Sequence, residues 1–304
     1  MPLPQTLHCG PAGWSYPHWA GFVFPRIKER NFHPLEYLCR YFDALEINTT
    51  FYQPVRPEIA RLWLRKVEDN PRFIFTAKLH RRFTHERELD EGEVKQFKDG
   101  LWPLKQAKKL GCVLMQFPWT FRYTEENRNY LIRLRRTFHE FPLVAEMRHS
   151  SWLHDEALGT LIDFKIGFCN IDQAPYTKAM PPSAHLTSEV GYVRLHGRNP
   201  SDWSHEFGRS AVSKGRHDYL YSPAELLEWQ SRIAEIRQHA ARTIVIANNE
   251  IGGKSVVNAL QLSTMLGDSR RSAPAELLMR YPEQLAGYHS NEPLQTGLFE
   301  RAVA

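Results

Sequence analysis

Short apolar runs in this chain repeatedly end in acids, bases and amides: ALEIN at 44–48, FIFTAK at 73–78, LVAEMR at 143–148, IGFCNID at 166–172, YVRLHG at 192–197 and VIAN at 245–248. Side chains alternate between the two faces of an extended strand. That parity groups Glu46 with Asn48, Glu146 with Arg148, Asn170 with Asp172 and Arg194 with His196, and Lys78, Gln116 and Asn248 join the set. These residue types suit acid–base chemistry, with Glu146 or Asp172 as general base, Glu46 paired with Glu146, and His196 as general acid. Lys78, Arg148, Arg194 and Arg198 offer positive charge to a phosphate. A lysine whose ammonium is disfavoured can also form a Schiff base. Buried unpaired charge destabilises a core, so such a set implies a site, the alternative being a self-satisfied plug of ion pairs. Three carboxylates face three or four cations. The set therefore requires no cofactor, although a divalent metal is compatible with it.

These residues need elements that bring them together. Strand-like runs fall at 7–9, 44–48, 73–78, 112–117, 143–148, 166–172, 192–196 and 243–248, eight in all. Helical patterns alternate with them at 34–42, 57–68, 93–110, 125–139, 155–164, 223–240 and 254–266. Strand–helix alternation implies a parallel sheet, and eight repeats over about 260 residues match a (β/α)8 TIM barrel, whose active sites lie at the C-terminal ends of the strands. A doubly wound open sheet is the competing fold. The sixth helix is expected to be short or missing, because 173–189 holds three prolines. The barrel domain is drawn as 1–267, followed by an extension, 268–304, with one short helix over 274–286.

Several loops at the presumed rim are aromatic, including Trp14, Trp19, Trp119, Trp152 and Trp203 with Tyr16, Phe51 and Tyr52. Trp14, Tyr52 and Trp152 are candidates for stacking on a sugar or a base. Gly252, Gly253 and Lys254 open the last helix as a candidate anion site. They do not form a phosphate-binding Walker loop, because Asn248 stands where the leading glycine belongs. The segment 198–221 is long for a connection and carries Arg209, Lys214 and Arg216, as a lid or binding loop does. Net charge is +5 with an isoelectric point near 9.0, which tolerates an anionic partner such as nucleic acid without requiring one. Four scattered cysteines without a Cys-x-x-Cys pair suggest a reducing, cytoplasmic setting. The chain lacks an apolar stretch of the roughly 18 residues needed to span a membrane.

The ordered segments GPAGWSYPHW, EINTTFY, FTAKLHRRFTHE, LMQFPWTF, VAEMRHSSW, YVRLHGR and IANNEIGGKSVVNALQL closely resemble the YecE-like family, domain of unknown function 72. The resemblance runs from about Leu7 to Leu266. It implies a TIM barrel but no particular reaction, since the family has no established activity. Its shared polar positions correspond to Glu46, Asn48, Lys78, Gln116, Glu146, Arg148, Asp172, Arg194, His196 and Asn248. The first loop departs from the usual Gly-Thr-Ser-Gly-Trp, reading Gly10-Pro11-Ala12-Gly13-Trp14. Those two hydroxyls are absent, which argues against a catalytic role for the loop. Pro118-Trp119 replaces the usual Pro-Pro after Gln116-Phe117.

Near its end, in PLQTGLFERAVA, the extension carries QTGLF, where Gln295, Leu298 and Phe299 look like the short peptide by which bacterial DNA-processing proteins dock on the replicative sliding clamp. Three readings follow. The first is a phosphate-directed hydrolase, with DNA as a candidate substrate and the tail docked on the clamp. The second is a sugar-directed or other small-molecule hydrolase, lyase or isomerase using Glu46 and Glu146. The third is a non-catalytic binding module.

Overall fold

A computed structural model describes residues 6–199, 215 and 217–292. Eight parallel strands alternate with helices: β1 Thr6–Pro11, β2 Ala44–Ile47, β3 Ile74–Lys78, β4 Leu110–Gln116, β5 Leu143–Glu146, β6 Gly167–Asp172, β7 Val190–Leu195 and β8 Arg242–Ala247. They pair in the continuous order β1-β8-β7-β6-β5-β4-β3-β2. The two ends of this sheet meet through an Ala12–Glu46 bridge, with the Gly13 N–H donating to the Glu46 carbonyl at 2.9 Å. The sheet is therefore a nearly closed barrel, and the doubly wound alternative is excluded. Gly10 permits this closure, because a Cβ there would lie 1.7 Å from the Ala44 carbonyl oxygen.

The helices are α1 Pro34–Leu38, α2 Pro57–Lys66, α3 Glu91–Gln106, α4 Glu125–Thr137, α5 Asp155–Asp163, α6 Pro223–Arg237, α7 Lys254–Met265 and α8 Ala275–Arg280. Local chemistry sets their starts. The Asp90 and Thr124 side chains cap α3 and α4, and Ser222 with Glu225 forms a full capping box before Pro223 on α6. Hydrophobic strand residues on the outer face form the layer beneath the helices, with Leu45, Phe75, Val113 and Ala145 all fully buried.

The expected helix at 93–110 ran too far. α3 stops at Gln106, Lys108 adopts a left-handed φ of 56°, and Leu110 already begins β4. No helix forms over 173–189. That connection is held instead by Asn170, whose amide donates to the His185 carbonyl at 2.9 Å and accepts from Ser183 and the His185 N–H, each at 2.8 Å. The segment after Gly267 lies against the barrel: Ala273, Leu277 and Leu285 are buried in the main core, and Arg270 pairs with Asp43 at 2.9 Å. The helix expected over 274–286 ends at Arg280, just before Tyr281 and Pro282. Among the described residues no helix is long and apolar enough to cross a membrane.

Candidate functional site

At the C-terminal end of the barrel, strands β2, β3, β4, β5 and β7 and the ends of β5, β7 and β8 converge on one buried polar cluster. Arg194 on β7 is its centre and is fully buried. Its Nη2 donates to Glu46 Oε1 at 2.6 Å and its Nη1 to Glu146 Oε2 at 2.5 Å. Nη1 also reaches Gln116 Oε1 at 3.4 Å. Arg148 lies 2.5 Å from Glu146 Oε1 and donates to Gln173 Oε1 at 3.2 Å. His196 Nε2 lies 3.2 Å from Glu146 Oε1 and 3.3 Å from a nitrogen of each arginine, while its Nδ1 faces the Asn248 amide at 3.0 Å. Tyr192 donates its hydroxyl to Glu46 Oε2 at 3.0 Å, with the Thr76 hydroxyl at the same distance.

Lys78 is held differently. Its Nζ stands 3.8 Å from Glu46 Oε1 and 5.8 Å from the centre of the Phe51 ring, and its side chain is 13% exposed. The other two luminal cations touch carboxylates at 2.5–2.6 Å. Asn48 and Gln116 are half-buried beside it, and Asn48 donates to the Tyr16 hydroxyl at 3.1 Å.

Electrostatics divides the roles. Burial opposes ionisation of Glu146, but the guanidinium groups of Arg148 and Arg194 outweigh it and hold its carboxyl well below the usual range. A carboxylate held that way is a weak base. Burial, aided by Arg148, pushes the His196 imidazole far down, so it is neutral at physiological pH. Burial and the charge of Arg194 lower Lys78 to about 8. Lys78 is thus the group poised to exchange a proton near neutrality.

Three expectations need correction. Asn170 and Asp172 do not face the lumen. In the β6–β7 register Cys169 and Ile171 pair with Tyr192 and Arg194, so Asn170 and Asp172 lie on the outer face. There Asp172 accepts from Arg198 Nε at 2.9 Å and from the Trp229 indole at 2.5 Å, under helix α6. Arg198 is committed to Asp172, Glu225 and Glu228. Neither residue reaches the cluster, so Asp172 is not its general base. Asp172→Asn is expected to lower stability by about 3 kcal/mol in urea unfolding, because Arg198 loses a buried partner. Ligand affinity at the lumen should stay unchanged, and a loss of affinity without a loss of stability would contradict this assignment.

The aromatic rim is also thinner than expected. Trp152 is fully buried, donates to the Phe121 carbonyl at 2.8 Å and lies parallel to the Phe121 ring, so it has no free face for a ligand. Trp14 packs edge-on against Trp63 at 5.3 Å, behind the barrel wall. Tyr52 remains at the surface, 69% exposed. At the start of α7, Gly252 and Gly253 have φ of 66° and 77°, and a Cβ on Gly253 would sit 2.7 Å from Val23. Backbone conformation and packing thus account for both glycines, and Lys254 is paired with Asp218. Gln295, Leu298, Phe299, Trp203, Arg209, Lys214 and Arg216 lie outside the described residues.

Sequence reasoning missed Tyr192, Thr76 and Gln173. Tyr192 and Thr76 stand two residues before Arg194 and Lys78 on the same face, so the parity rule carried the signal. Among the described residues, no three His, Cys, Asp or Glu side chains form a group able to hold a metal. A cavity of about 800 Å³ opens at the other end of the barrel between Thr6, Leu143, Lys165 and Arg242. None of the strand-end acids or guanidinium groups lines it, and TIM-barrel chemistry resides at the opposite face, so the polar cluster is the better candidate.

The sequence model of the family described as "Protein of unknown function DUF72" matches residues 8–282. The chain belongs to the DUF72 family. A DUF72 protein from Thermotoga maritima MSB8 is 29% identical, with a TM-score of 0.74 over 86% of this chain and all of that one. A second, from Enterococcus faecalis V583, is 24% identical with a TM-score of 0.74, covering 87% of this chain and 96% of that one, and shows the shared fold. UPF0759 protein YecE of Escherichia coli K12 is 29% identical over 117 residues, 38% of this chain. The chain spans 39% of the length of that curated relative. The DUF72 match runs from β1 through α8, so it contains every residue of the luminal cluster.

Proposed function

We propose that this DUF72 barrel is an acid–base enzyme acting on a phosphate-bearing substrate at the C-terminal end of its strands. One observation carries the reading. Among the described residues, the luminal cluster sets two carboxylates, Glu46 and Glu146, against three cations, Lys78, Arg148 and Arg194. Neutral His196 leaves a surplus positive charge. An entering anion balances that surplus in a site where water screens little. Lys78 and the amides of Gln116, Asn48 and Asn248 meet the substrate, while Arg194 holds Glu46 and Glu146 in place and, with Arg148, keeps Glu146 ionised. Proton transfer falls to Lys78 and Glu46, since a neutral His196 has no proton to give as the general acid expected from the sequence, and the reading requires no metal.

DNA is the larger member of this substrate class, and the QTGLF peptide is its support. The test is a consumption screen of phosphorylated metabolites, their unphosphorylated counterparts and short damaged DNA duplexes, with a parallel measurement of peptide 290–304 on a bacterial sliding clamp. Wild type is expected to consume a phosphorylated compound, and Lys78→Met to slow that by at least about 100-fold. Consumption of unphosphorylated sugars alone would favour the small-molecule glycosidic reading and overturn this one. Clamp binding lost in a Leu298→Ala/Phe299→Ala peptide would extend the substrate to DNA.

A further inference from the structure

The luminal cations are not equivalent. Arg194 and Arg148 each touch a carboxylate at 2.5–2.6 Å, at the geometry of tight charge-assisted bonds. Among the described residues Lys78 has no carboxylate within hydrogen-bond range, since the nearest, Glu46 Oε1, stands 3.8 Å away. A cation whose purpose was to neutralise Glu46 would close that gap. Lys78 instead lies against the Phe51 ring with its side chain 13% exposed, whereas Arg148 and Arg194 are 2% and 0% exposed. Burial and Arg194 bring it down to about 8, so about a tenth of it is neutral amine at pH 7.

We propose that Lys78 is a nucleophile that condenses with the carbonyl carbon of an aldehyde or ketone substrate to form a Schiff base. This deepens the function proposed above by adding a carbonyl to the phosphate-bearing substrate. The neutral Nζ attacks the carbonyl carbon, a C–N bond forms, and the C=O π pair moves to oxygen. Glu46 Oε1, the nearest carboxylate among the described residues, carries two protons in turn from nitrogen to that oxygen: the first turns the alkoxide into a hydroxyl, and the second lets the hydroxyl leave as water. The net change is amine plus carbonyl giving imine plus water. Once protonated, the imine withdraws electrons from the adjacent carbon, which suits a lyase or isomerase acting on a phosphorylated aldehyde or ketone. The arginines cannot replace Lys78, because a guanidinium stays protonated.

The test uses two aldehydes, pyridoxal 5′-phosphate and pyridoxal, with the full-length protein, followed by borohydride reduction and peptide mass spectrometry. Lys78 is expected to carry the reduced adduct at least ten-fold above Lys95, an exposed lysine on α3. The labelling rate should rise with a midpoint near pH 8. Lys78→Arg should lose the adduct while remaining folded by circular dichroism, and Lys78→Met provides the second folded control. Adducts spread over surface lysines with Lys78 unmodified would overturn the nucleophile assignment. If pyridoxal labels Lys78 as well as its phosphate does, and inorganic phosphate does not compete, the nucleophile stands and the phosphate reading fails.

Discussion

Replacing Arg194 with methionine is expected to destabilise the protein by about 3–5 kcal/mol, as breaking a buried ion pair does. Arg194 is fully buried between Glu46 and Glu146. Without it, Glu146 keeps only Arg148 as a cationic neighbour at bonding distance, and Glu46 keeps a lysine 3.8 Å away. Total domain stability is commonly about 5–15 kcal/mol, so the loss should be plain in urea unfolding at pH 7. Acid should compound it. The folded-state pKa of Glu146 is depressed. Its stabilisation is therefore complete above the unfolded carboxylate value of about 4.3 and is lost as pH falls through the folded value. His196 is also depressed, so its contribution begins to fall away as pH drops below about 6.5. Wild type should thus weaken in two stages on acidification, and the variant should lose the lower stage at a higher pH. A change under 1 kcal/mol at pH 7, on the order of a surface substitution, would contradict the buried network.

Lys78→Met should behave in the opposite way. Lys78 is held at about 8 against a usual 10.5, so its ammonium is disfavoured in the folded state. Each pKa unit corresponds to about 1.4 kcal/mol. Methionine has a similar length and packs well against Phe51. After allowance for partial exposure, the variant should be about 2 kcal/mol more stable at pH 7, and catalytically inactive. The advantage should shrink above pH 8, where wild-type Lys78 discharges in the folded state while the unfolded chain keeps its proton. Gain of stability with loss of activity is the pattern of a site that trades stability for function. A loss of stability comparable to that of Arg194→Met would make Lys78 a structural cation instead.

All eight strands were legible because parallel strands buried on both faces read as apolar runs. Face parity then identified the luminal set on β2, β3, β5 and β7 from the sequence alone. It failed on β6 for a definite reason. Parity separates Asn170 and Asp172 from Cys169 and Ile171 but does not say which pair faces inward. The polar pair was taken as luminal by analogy with its neighbours. The missing sixth helix leaves a loop outside β6, and that loop needs Asn170 as its anchor. Asp172 likewise answers Arg198 and the indole of Trp229, partners distant in sequence. Trp152 and Trp14 were misread for a similar reason: a tryptophan in a loop gives no sign of whether its ring faces solvent or packs inward. The weak basicity of Glu146 was equally hidden, since it depends on which two arginines converge on it.

The luminal cluster is expected to receive an anion at Lys78. Calorimetric titration of inorganic phosphate into wild type, Lys78→Met and Lys254→Met tests it most directly. Binding should be present in wild type, unchanged in Lys254→Met and at least ten-fold weaker in Lys78→Met. Binding abolished only by Lys254→Met would move the anion to the glycine turn before α7, and no binding in wild type would make the cluster a self-satisfied plug of ion pairs.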